Sequence, residues 1–93
     1  MQTNGTVKRV TNAEMMRLEA QTPDTTLRFT INYARHQYGN ATARAIAALA
    51  RAGHAVTTMS FGNGFCIDGR HAEASDLRLL AGEKRRDPAV GGE

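Results

Sequence analysis

Cys66, His36, His54 and His71 are the side chains of this sequence best suited to nucleophilic chemistry or to zinc. A thiolate with an imidazole in hydrogen-bond reach makes a nucleophile and its base, which singles out Cys66 with His71. Cys66, however, lies in the short apolar run Phe65 to Ile67, where a small buried side chain is wanted, and free cysteine is among the most buried residue types. Three imidazoles and one thiol would also fill a tetrahedral shell, yet no Cys-x-x-Cys or His-x-x-x-His pair fixes two ligands on one local element. Gly62-Asn63-Gly64 lacks the Lys and Ser/Thr that follow a phosphate-cradling loop, and it reads as a hairpin tip. Glu73 and Asp76 could form an acid and base pair, but Asp76 is more simply a first-turn acid at the positive end of a helix. The expectation is a chain without enzymatic activity, with no catalytic residue, metal or cofactor site.

The cations carry more signal. Twelve Lys and Arg stand against nine Asp and Glu, giving a formal charge of +3 and an isoelectric point near 9.6. Such a balance favours nucleic acid or an acidic protein surface as partner. Arg44 and Arg51, seven apart, share a face of any helix that carries them, and Arg28 and Arg35 do the same one segment earlier. With Asn40, Thr42, Asn63, Arg70, Lys84, Arg85 and Arg86, they form the expected set of partner contacts, each phosphate contact adding salt-sensitive affinity. The plainer role of such residues is to solubilise an Ala-rich helix and to complement helix dipoles.

The elements that would position these groups can be read in order. Thr11 with Glu14 has capping-box spacing and predicts a helix from about Asn12 to Gln21, with Met15, Leu18 and Met16 toward the core. Residues 22–40 satisfy two periods at once. Leu27, Phe29, Ile31 and Tyr33 alternate as in a strand. Leu27, Ile31, Ala34 and Tyr38 also make a helical face, opened by Thr22-Pro23-Asp24 and stopped by Gly39, and this helical reading is the one adopted. Asn40 is then the cap of an Ala-rich helix, Ala41 to Ala52, with Ala45, Ile46 and Leu49 inward. Ala55 to Phe61 and Phe65 to Asp68 form a hairpin, Asp68-Gly69 marks another turn, and a last helix starts near Ser75 or Asp76 and runs into Glu83-Lys84-Arg85-Arg86.

The fold class is therefore α+β: helices, a β-hairpin and a C-terminal helix, with α-β-α-β-β-α around a small antiparallel sheet as the alternative. The order of elements over residues 11 to 68 resembles a winged helix-turn-helix, without a diagnostic motif and with a Gly39-Asn40 turn shorter than usual. That resemblance implies a recognition helix over Asn40 to Ala52 and a wing at Gly62-Asn63-Gly64. Its alanines leave few side chains to read base edges. The second function class is a protein-binding inhibitor or adaptor of the kind carried by phages and plasmids, the anti-CRISPR proteins included, which blocks a site on a host complex.

Ninety-three residues, 41% hydrophobic and 23% charged, suit one domain with a thin core. Residues 1–10 are read as an arm or edge strand, through which a second copy could pair to form a dimer, and 88–93 as a frayed tail. The longest helical apolar stretch is far short of the roughly 20 residues that span a bilayer. With no secretory pattern at the start and a lone cysteine, the expected setting is the reducing cytoplasm.

Overall fold

The computed structural model describes residues 7–59 and 64–82. Among them run helices α1 (Asn12–Gln21), α2 (Thr25–Tyr38) and α3 (Asn40–Arg51), strands β1 (Val56–Thr58), β2 (Phe65–Ile67) and β3 (Arg70–Ala72), and helix α4 (Ala74–Leu80). The architecture is α+β, with helices first, then a hairpin, then a helix.

Local chemistry sets the ends of α1. The Thr11 hydroxyl accepts from the Glu14 amide at 3.1 Å and the Glu14 carboxylate accepts from the Thr11 amide at 2.9 Å, so two otherwise orphaned donors are satisfied. Met15 is fully buried and Leu18 packs beside the core, whereas Met16 points outward.

Residues 25–38 are helical, and the strand alternative is corrected. Asp24 accepts from the amides of Thr26 and Leu27 and starts the helix in place of Thr22, whose hydroxyl instead accepts from the Asp24 amide. Thr30, Ile31 and Ala34 turn inward at helical spacing, and the Thr30 hydroxyl donates to the Thr26 carbonyl at 2.8 Å. Phe29, which a strand would have buried, is 58% exposed.

Gly39 alone links α2 to α3, and Asn40 is the first residue of α3 rather than its side-chain cap. Thr42, Ala43 and the run Ala45–Leu49 are buried, because α1, α2, α4 and β1 all pack against this helix. Its alanines let those neighbours approach closely. The core they share contains Val10, Met15, Ile31, Ile46, Leu49, Phe65 and Leu77.

The sheet has the order β1-β2-β3, antiparallel throughout, with Val56 opposite Ile67 and Phe65 opposite Ala72. Phe65 and Ile67 face inward and Cys66 outward, as their alternation predicts. The third strand is an addition to the expected hairpin. Asp68-Gly69 closes it as a two-residue turn with φ of 51° and 86°, the left-handed pair that matches strand twist.

Helix α4 begins one residue earlier than expected and ends at Leu80, short of Glu83. Residues 7–10 form no strand. Val10 is buried and Val7 packs against the core, so this part of the expected arm or edge strand lies on the protein's own core. Asn63 and the Gly62-Asn63 part of the hairpin tip, the run Lys84-Arg85-Arg86, the tail 88–93 and residues 1–6 of the arm lie outside the described residues. Among the described residues, no helix is long and apolar enough to cross a membrane.

Candidate functional site

A line of shallow depressions follows the outer edge of α3. Arg9, Arg44, Ala41 and Ala48 belong to the first; Lys8, Ala48, Arg51 and Ala52 line the second, of about 250 Å³; Arg51, Glu14, Arg17 and Leu18 line the third, of about 370 Å³. Ala48 is common to the first two and Arg51 to the last two, so the three lie in series along the helix. Three elements converge here: the segment 7–10 brings Lys8 and Arg9, α3 brings Arg44 and Arg51, and α1 brings Arg17. Arg44 and Arg51 are separated by two turns, about 10 Å along the helix.

The expected contact residues divide sharply. Arg44 is half-buried and donates to Asn12 Oδ1 at 2.6 Å; Arg51 is exposed, with its guanidinium 3.6 Å from Glu14. Arg28 is exposed on α2, away from this line, in a depression with Phe29, Asn32 and Glu19. Arg70 is exposed on β3, and its charge helps to hold the neighbouring Asp68 ionised. Asn40 is exposed at the start of α3.

Two residues leave the surface set. Thr42 is fully buried, its hydroxyl accepting from Arg78 at 2.9 Å, because position 42 faces α4. Arg35 is clamped between Glu19, Asn32 Oδ1 and the Met15 sulfur, tying α2 to α1. Helix α3 is packed by α1, α2, α4 and β1, and the side it leaves open carries Asn40, Ala41, Arg44 and Arg51.

Lys8, Arg9 and Arg17 were missing from the sequence-derived set. The pair Lys8-Arg9, flanked by two valines, was visible, as was Arg17 one turn beyond Glu14. What no spacing shows is that both approach α3 from opposite sides.

The described acids are held at caps, turns and pairs. Asp24 caps α2, Asp76 accepts from the Glu73 amide at 3.0 Å, Glu19 holds Arg35, and Glu73 lies 3.5 Å from His71. Asp68 accepts from the Ala55 amide at 3.0 Å and lies 2.7 Å from His54 Nδ1. The amide hydrogen bond first, and His54 second, hold its carboxyl below the ordinary range. Glu14 is lowered likewise, chiefly by the Thr11 amide and further by Arg51. Every described acid thus has an internal partner, and only Glu14 stands in the cationic line.

A second feature lies at the seam of α2 and the sheet. Phe29 stacks on Tyr33 with centroids 6.2 Å apart, Tyr33 meets Phe65 edge-on at 6.1 Å, and Tyr38 tilts against Phe65 at 5.4 Å. The row runs from an exposed ring to a fully buried one.

Cys66 and His71 are cross-strand partners on the outer face of the sheet. Among the described residues no hydrogen bond joins them, and the imidazole is turned to Glu73. No group of three or more His, Cys, Asp or Glu among the described residues is placed to hold a metal ion. Compared with known proteins, the chain matches no family model, no curated protein and no solved structure.

Proposed function

We propose that this protein is a small non-enzymatic regulatory module that binds an anionic macromolecule, nucleic acid foremost, along the outer edge of α3. The observation that carries the reading is the placement of charge: Lys8, Arg9, Arg17, Arg44 and Arg51 line neighbouring depressions in which Glu14 is the one described acid. Charge of one sign gathered on one face steers and holds an anion. The setting proposed is the cytoplasm, consistent with a single cysteine that has no partner for an internal disulfide.

Fluorescence anisotropy with a labelled 20-base-pair duplex at low salt tests it. The wild-type protein should bind, with affinity falling steeply as salt rises. The R44Q/R51Q variant, checked for an unchanged far-ultraviolet circular dichroism spectrum and melting temperature, should lose at least tenfold. No binding by the folded wild-type protein at low salt rejects the nucleic-acid reading.

The exposed ring row favours a second reading, an inhibitor or adaptor that docks on a host protein. Aromatic side chains beside an Arg dominate many protein interfaces, and Phe29 with Arg28 offers that pairing. On this reading F29A, and not R44Q/R51Q, would abolish complex formation.

A further inference from the structure

We infer that the line along α3 takes the sugar-phosphate backbone of a double helix and reads no sequence. The inference rests on the anion-binding reading above and names its partner. Three features of the lining carry it.

Where α3 itself forms the floor, its side chains are small: Ala41, Ala48 and Ala52 project too little to reach a base edge. Direct readout needs side chains inserted into a groove to make bidentate contacts with base edges. Contacts to phosphate need only long cationic side chains on a surface, which the line has in five places.

Among the described residues, no aromatic ring lines the three depressions. Single strands are gripped largely by stacking bases on aromatic side chains. The rings of this chain that are described stand instead at the seam of α2 and the sheet. A duplex, whose bases are already stacked, is the form of nucleic acid such a lining suits.

Glu14 is the internal competitor. One of its carboxylate oxygens accepts from the Thr11 amide while the other faces Arg51 at 3.6 Å. A phosphate arriving at Arg51 displaces a loose, exposed pair and leaves the helix cap intact. Removing the charge at position 14 should therefore strengthen binding, whereas in a purely structural role it should not.

The experiment compares the full chain on two 20-base-pair duplexes of unrelated sequence, on one matched single strand, and on poly-L-glutamate, each across a salt series. The two duplexes should bind within threefold of each other and above both the single strand and poly-L-glutamate. The logarithmic salt slope should not exceed about 4.5 in magnitude for five cations, and R51Q should reduce it by about one. E14Q keeps the capping box, since Gln serves at that position, and should bind both duplexes about two- to fivefold tighter.

A preference above tenfold for one duplex, or tighter binding to the single strand, overturns this inference and leaves the anion-binding reading in place. Equal or tighter binding to poly-L-glutamate overturns it in favour of an acidic protein partner. An E14Q variant that melts like the wild type yet binds no better also counts against it. Failure to bind any of the four polyanions sinks both the inference and the reading on which it rests.

Discussion

The Glu19 carboxylate grips the Arg35 guanidinium across the α1–α2 interface, one oxygen facing each terminal nitrogen, with the second contact at 3.2 Å. Both side chains are largely withdrawn from water, at 22% and 16% exposure, and the guanidinium is held further into its charged form chiefly by the hydrogen bond to Glu19. The pair joins helices whose remaining contact is modest, as a bidentate fork can.

Replacing Glu19 by Gln leaves Arg35 without its counter-charge. The expected loss is about 1–3 kcal/mol, the range for hydrogen bonds to charged groups, read as a lower urea midpoint at unchanged slope. R35Q should cost a similar amount, and the double variant no more than about the larger single loss. Full additivity would show that the pair contributes nothing as a pair.

Asp68 links stability to pH. Its folded carboxyl lies below the ordinary value of 3.8 because the Ala55 amide and then His54 favour the ionised form. A depressed folded value means that this contribution is complete above the unfolded value and is lost as pH falls through the folded one. Between pH 5 and pH 2.5 the melting temperature of the wild type should fall more steeply than that of D68N. Asn tolerates the left-handed turn conformation, so the comparison isolates the charge. Parallel curves would assign the acid sensitivity elsewhere.

Gly64 enters β2 at a φ of 108°, and a Cβ there would stand 2.8 Å from His71 Nε2 and 3.2 Å from the Ala72 carbonyl. G64A should destabilise by about 1–2 kcal/mol, the ordinary cost of a left-handed L-residue. Combining it with H71A should recover only part of the loss, since the backbone strain persists. A thermal melt in which G64A matches the wild type would mean that the strand entry shifts freely.

Thr42 separates packing from binding. T42V keeps the shape and removes one acceptor of Arg78, so urea denaturation should show a loss of about 1 kcal/mol. Its affinity for duplex should stay within twofold of the wild type. A larger drop in affinity at full stability would return Thr42 to the contact surface.

The contrast between Thr42 and Arg44 shows what could be read from the sequence. The start of helix α1 was legible because Thr11 and Glu14 act within one turn, and the hairpin was legible because Phe65 and Ile67 alternate with Cys66. The α2 segment met both periods, and only the Asp24 cap and the burial of Thr30, Ile31 and Ala34 separate them. Strand β3 has three residues, two of them exposed, and offers no period to detect. Within the site, the Arg44–Arg51 spacing was visible. The convergence of Lys8, Arg9 and Arg17 on it depends on how the segment 7–10 and α1 lie against α3. The withdrawal of Arg35 and Thr42 depends on partners 16 and 36 residues away.

The alanines of α3 work as spacers. Ala43 and Ala47 are wholly enclosed and Ala45 and Ala48 nearly so, each fixing how near a neighbouring helix can come. In a core built of large residues, harm usually comes from subtraction; along this helix it comes from growth, because one added methyl group must push a whole element outward. Subtraction offers little relief either, since only glycine is smaller and it weakens a helix interior by about 1 kcal/mol. The stretch with the plainest composition is therefore the one with the least room to vary, and change in this protein is channelled to the long side chains around it.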